Sequence, residues 1–282
     1  MLAIIGGSGL YELDGLEKNT QHNLDTPFGQ PSSPIFEGVY EGQKVFFLAR
    51  HGLHHQFLPH EINYRANIFS LKKLGVRQIF SLSAAGSLNE KIKPGGIATV
   101  SQYFDHTRGK RVSTFFGNGV AAHISTAYPT CNILRSDIEA ASKRAGLNIF
   151  QSACYACVEG PRLGTRAESF FLRDQAKCDL VGMTNIPEAF LAREAQMAYC
   201  TLALITDYDC WMDDPKQHVS VELFLKTYAG TLEKAKSILA QLLKTPLSPT
   251  PREISHALES AILTPFDQLT NQQKEWLDIL RA

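Results

Sequence analysis

The sequence has no surplus of charge: 28 Lys and Arg stand against 28 Asp and Glu, so the net charge is zero with neutral His. Neutralising a phosphate backbone takes a basic excess, so nucleic acid is not an expected partner. No apolar run approaches the roughly 18 residues of a membrane span. The opening MLAIIGGSGLYELDG has neither a positive n-region nor enough apolar residues before its glycines to serve as an export signal. A cytoplasmic protein with no membrane partner is therefore expected. Cysteine is scarce as well. Cys131, Cys154, Cys157, Cys178, Cys200 and Cys210 lie mostly in apolar, strand-like stretches, as reduced cytosolic thiols do, so stability must come from packing. At 282 residues the chain has room for one large core.

Short apolar runs alternating with segments of helical period indicate an α/β fold with a largely buried sheet. Strands are expected at 2–5, 44–49, 78–82, 96–100, 148–158, 179–181 and 201–206, and helices at 62–74, 133–145, 166–175, 188–195 and 221–243. Three prolines between 246 and 251 interrupt the pattern and end a first unit at about residue 245. Residues 246–282 read as a helical extension with amphipathic segments at 254–263 and 270–280, the second opening on a capping box of Thr270 and Gln273.

Several strand ends carry polar chemistry. The first runs into Gly6-Gly7-Ser8-Gly9, where backbone N–H groups can turn toward a small anion or simply form a tight turn. It is no P-loop, since no Lys-Ser/Thr follows, and Glu12 breaks G-x-G-x-x-G. Arg50 closes an apolar strand and reads as an anion clamp or a surface ion pair. Four His between 51 and 60 lack the Cys, carboxylate or H-E-x-x-H spacing of a zinc site, so no metal is expected. Ser81-Leu82-Ser83-Ala84-Ala85-Gly86 can offer a hydroxyl and N–H groups to the same anion. Three strand ends thus point to a phosphate-sized ligand. Asp207 and Asp209 follow a buried-looking strand; alternation would put both on one side, where burial or mutual repulsion raises one pKa and makes it an acid, unless the loop is solvated. Cys154-x-x-Cys157 falls inside a strand and reads as structural.

In their order, IIGGSGL (4–10), LARHG (48–52), NYRAN (63–67), SAAGSL (83–88), VEGPR (158–162), RAES (166–169), MTNIPEAFLARE (183–194) and TDYDCW (206–211) resemble the trimeric purine nucleoside phosphorylase family, most closely its branch acting on 5′-methylthio nucleosides. The resemblance implies a mixed twisted central sheet flanked by helices over 1–245. It implies phosphorolysis of S-methyl-5′-thioadenosine to adenine and 5-methylthioribose 1-phosphate, with inorganic phosphate as co-substrate and no cofactor. Phosphate would be held by Ser8, Arg50, His51, Ser83, Ala84 and Thr184. Leu163 would lie beside the base and Met183 under the ribose. Asp207 and Asp209 would read N7 and the 6-amino group, with Asp207 the catalytic acid. Val221 and Phe224 would line the methylthio pocket, joined by His123 of a neighbouring subunit in a homotrimer. Leu163 replaces an aromatic residue of the family, Gly182 an Asn, and Gly164 the glutamate of 6-oxopurine enzymes. The alternatives are a methylthioinosine or general purine nucleoside phosphorylase, and a nucleoside-binding protein without catalysis.

Overall fold

The computed structural model describes residues 1–7, 13–214 and 220–282. Nine strands form one sheet: β1 (Leu2–Gly6), β2 (Glu17–His22), β3 (Ile35–Tyr40), β4 (Gln43–Ala49), β5 (Gln78–Ser87), β6 (Ile97–His106), β7 (Phe150–Val158), β8 (Leu180–Gly182) and β9 (Ala198–Asp207). Seven α-helices accompany them among the described residues: α1 (Tyr64–Lys73), α2 (Asn132–Arg144), α3 (Arg166–Phe170), α4 (Asn185–Glu194), α5 (Val221–Leu243), α6 (Arg252–Ser255) and α7 (Asn271–Arg281). All seven expected strands are present, but β5 and β6 run several residues further. The expected helix 166–175 changes to π geometry at Phe171. In the extension, only the first two residues of the expected 254–263 segment are helical, at the end of the single turn α6, whereas α7 forms with its Thr270–Gln273 capping box. No helix among the described residues is long and apolar enough to cross a membrane.

Strand β5 organises the sheet. Its first half pairs in parallel with β1, its last two residues pair antiparallel with β8, and its other edge follows β9 in parallel. β9 continues antiparallel to β6, β6 parallel to β7, and β7 parallel to β8, so β5, β8, β7, β6 and β9 close on themselves. On the edge where β5 leaves β1 for β8, residues 82–85 have no ladder partner among the described residues. The candidate site is built around this fork.

Strand alternation in β1 and β4 divides their apolar residues between the two larger of three cores. Ala3, Ile5, Phe46 and Leu48 face a core completed by α1, α4 and α7, while Leu2, Ile4, Val45 and Phe47 face one completed by α2 and α5. The extension does not build a core of its own: Leu258, Leu269, Trp276, Leu277 and Leu280 enter the first of these. Fully burying each such side chain contributes about 1.5–3 kcal/mol, which anchors residues 246–282 to the body.

Candidate active site

Strands β4, β1 and β5 lie side by side and parallel, so their C-terminal ends, where ligands sit in open α/β sheets, open together. Arg50 follows β4 and is held at that edge by its N–H bond to Gly6 O. It is neither a free clamp nor a surface ion pair. The side chain is buried, and its Nε and Nη2 form a bidentate pair with Glu188 at 2.6 and 2.8 Å. Nη1 donates to Leu82 O and Nη2 to Ser81 Oγ, leaving one Nη1–H of the five guanidinium donors. Burial opposes the Arg50 charge, and Glu188 more than offsets this, so its pKa is raised. Glu188 Oε1 also accepts from Ser81 Oγ and Tyr199 Oη. The Arg50 charge is thus already balanced by Glu188, and an anion would be held chiefly by hydrogen bonds.

His51 also differs from a simple cation. Burial, with Arg50 beside it, lowers its pKa to about 4, so the ring is neutral near pH 7. Nδ1 donates to Phe57 O at 2.8 Å and the ring stacks on His55. Its backbone N–H has no partner among the described residues and is the donor it can offer. Ser83 Oγ lies 3.2 Å from Thr184 Oγ1, joining the β5 fork to the start of α4, where the Thr184 hydroxyl caps nothing. Ala84 lies in the unpaired stretch of β5. Ser8 falls outside the described residues.

The carboxylate pair sits at the other end of the fork. Asp207 ends β9 opposite Gly86, whose missing Cβ leaves room for Asp207 Oδ1 and Asp209 Cβ. The pair does not share a strand face by alternation. Asp209 adopts φ of 51°, and its N–H donates to Asp207 Oδ1 at 2.8 Å, which closes a turn. Both residues are buried, and burial raises both pKa values. For Asp207 this is opposed by the Thr206 hydroxyl and the Asp209 N–H, while repulsion from Asp209 adds only a minor part. A Cβ at Gly164 would meet the Asp209 carboxyl only at ordinary contact distance, and Arg166 fixes the following turn through Cys210 O.

Met183 is seated against Gly160, whose φ of 65° and bare Cα together make the close approach possible. Buried Arg111 holds this junction. It pairs with Glu159 at 2.9 Å and donates to Met183 O and Ile186 O, tying the end of β7 to the start of α4. Phe224 is half-buried and stacks on Tyr228, whose hydroxyl reaches Gly7. Val221 and Leu163 are exposed, and His123 lies on a surface segment held by Ala261 O.

Three contributors were not anticipated from the sequence. Arg111 lies in a polar loop with no motif around it. Tyr155 is an aromatic in an apolar strand, yet its hydroxyl meets Ser83 Oγ at 3.1 Å and fills the space a side chain at 182 would need. Gly182 is therefore matched to Tyr155. Tyr228 reads as core from its helical spacing. Among the described residues no group of three or more His, Cys, Asp or Glu could hold a metal ion, and all six cysteines are free, with Cys154 and Cys157 meeting different neighbours, Cys178 and Ile186.

Residues 1–244 match the model of the phosphorylase superfamily. The S-methyl-5′-thioadenosine phosphorylase of Geobacter sulfurreducens is 44% identical over 280 residues, covering 99% of this chain and 97% of the relative. That of Hyperthermus butylicus is 45% identical over 93% of this chain and 95% of its own length. Among solved structures, a methylthioadenosine phosphorylase from an antarctic soil metagenomic library superposes with a TM-score of 0.90 at 42% identity, covering 99% of this chain and 98% of that one. The Schistosoma mansoni methylthioadenosine phosphorylase in complex with adenine gives 0.87 at 31%, covering 95% and 99%. The chain belongs to the phosphorylase superfamily and, within it, to the S-methyl-5′-thioadenosine phosphorylases.

Proposed function

We propose that the protein cleaves the N-glycosidic bond of S-methyl-5′-thioadenosine with inorganic phosphate, giving adenine and 5-methylthioribose 1-phosphate. The observation that carries this reading is the β5 fork. Ser83, beside Thr184, and Gly86, against Asp207, are three residues apart, which is about 10 Å along a strand. An anion at one end and a purine at the other are thereby separated by about a ribose.

The chemistry follows from where charge develops. As C1′–N9 breaks, the ribosyl group becomes cationic and the bond's electron pair moves onto the purine. Ser83, Thr184, the backbone of Ala84 and His51, the last Nη1–H of Arg50 and Ser8 would hold phosphate against C1′. Because Glu188 balances Arg50, the phosphate oxygen keeps its nucleophilicity. Asp207, whose pKa is raised, would donate its proton to N7, and phosphate would bond to C1′. Neither step calls for a cofactor, and the product sugar feeds a salvage reaction that accepts a 1-phosphate. Met183 would pack under the ribose and Leu163 beside the base. Val221 and Phe224 would line the methylthio end, with His123 contributed by a neighbouring subunit of a cytoplasmic homotrimer.

An ionised Asp209 accepts from a 6-amino group. Its raised pKa also admits the second reading, in which a protonated Asp209 donates to a 6-oxo group and methylthioinosine is the substrate. Side-by-side assays with phosphate decide between them. Adenine release from methylthioadenosine should be the faster by at least tenfold, and faster hypoxanthine release would reverse the assignment. Sedimentation should give a trimer; a fully active monomer would remove His123 from the site.

A further inference from the structure

A cavity of about 490 Å³ lies among Lys72, Arg77, Gln196, Ser255, His256, Glu259 and Arg281. It sits at the opposite end of β5 from the fork. Arg77 immediately precedes β5 and is six residues from Ser83, about 20 Å along the strand. The volume is within the range of small-molecule sites.

Lys72 is the unusual member. It lies on the buried side of the last turn of α1, only 4% exposed, yet its ammonium makes no hydrogen bond or ion pair among the described residues. A buried ammonium without a partner is costly, and such groups are normally matched by an anion. Burial, with Arg77 next to it, brings its pKa down to about 7. Two of the other side chains around the cavity, Arg77 and Arg281, are guanidinium groups. Arg77 is held by Val76 O and by the carboxyl oxygen of Ala282, which also lines the cavity, and Arg281 adds a second guanidinium. The only carboxylate side chain is Glu259, which pairs loosely with Arg252 at 3.5 Å. His256 is bonded to Ser255. Lys72, Arg77 and Arg281 are thus set against Glu259 and the Ala282 carboxyl group that Arg77 binds, so basic groups outnumber acidic ones around the space.

We propose that this cavity is a second anion site, built for the dianionic phosphate of a small phosphomonoester and separate from the phosphate of the cleavage reaction. Lys72 would supply the point charge and Arg77 and Arg281 the planar donors. The cavity has room for an organic group beyond the phosphate. The assignment does not depend on whether the protein cleaves a nucleoside.

The test is competitive amine labelling of the whole protein with limiting acetic anhydride at pH 8, read peptide by peptide, with exposed Lys73 as the internal reference. Without ligand, Lys72 should be acetylated faster than Lys73, because more of it is the free amine. Ribose 5-phosphate should slow Lys72 at least fivefold and leave Lys73 unchanged. Arg281→Ala, at an exposed position, and Arg77→Ala should each reduce that protection at least threefold, and Glu259→Gln should extend it to lower ligand concentration. Failure of Lys72 to label, labelling indifferent to ribose 5-phosphate, or protection that survives in both Arg variants would overturn the site. Protection by inorganic phosphate but not by ribose 5-phosphate would overturn the phosphomonoester assignment.

Discussion

Asp207 Oδ1 accepts the backbone N–H of Asp209 at 2.8 Å, so the same carboxyl that faces the proposed base also closes the turn that carries its partner. Asn at 207 keeps an oxygen for that bond and loses the acid, while its amide NH2 can donate to the Thr206 hydroxyl that Asp207 Oδ2 accepts from. Asp207→Asn should therefore fold normally and lower kcat on methylthioadenosine at least tenfold, as removal of a general acid does. Near wild-type turnover would take Asp207 out of the acid role.

The Arg50–Glu188 pair makes a second expectation. Both side chains are almost fully buried, and Glu188→Ala would strand a guanidinium in the interior. Such a loss costs about 3–5 kcal/mol, to be measured by urea unfolding. A loss below about 1 kcal/mol would mean that water reaches Arg50 and that its charge is available to phosphate after all.

Gly182 and Tyr155 should behave as one unit. A methyl group at 182 runs into the Tyr155 hydroxyl and ring, so Gly182→Ala should destabilise by about 1–3 kcal/mol through overpacking. In a Tyr155→Val background the same change should cost markedly less, because the obstructing ring is gone. Strict additivity of the two substitutions would contradict the contact.

The pH dependence of stability has a definite sign. Burial raises the pKa of Glu194 from 4.5 to about 7, against hydrogen bonds from the Thr114 hydroxyl and the Phe115 N–H. The native state therefore holds this proton more tightly than the unfolded chain does. Its contribution to stability is full below pH 4.5, falls as pH rises through about 7, and is lost above that. Asp207 and Asp209, also raised, act in the same direction. Glu194→Gln, which has no proton to lose, should gain about 3 kcal/mol relative to wild type between pH 4.5 and pH 8 in urea titrations. A difference independent of pH would remove Glu194 as the cause.

The legible parts of the fold were those whose apolar residues repeat. β1, β4, β5 and β9 are near-continuous apolar runs because both faces are covered, and α5 carries its stripe over 23 residues. β2, with the sequence EKNTQH, has no apolar face and forms only because β3 offers it an edge, so nothing local announces it. At the site, strand ends marked Ser83 and the two aspartates, but burial decided what Arg50 and His51 are. The Glu188 that neutralises Arg50 comes from 138 residues further along the chain. Tyr155 acts through a contact between β7 and β5, and Arg111 by tying the end of β7 to the start of α4, neither of which a linear reading brings together.

Phosphate dependence tests the central claim most directly. Purified protein given S-methyl-5′-thioadenosine should release adenine only when inorganic phosphate is present, with one 5-methylthioribose 1-phosphate formed per adenine. Adenine released at the same rate without phosphate, with free methylthioribose as the sugar product, or nucleoside bound with no cleavage at all, would contradict the account.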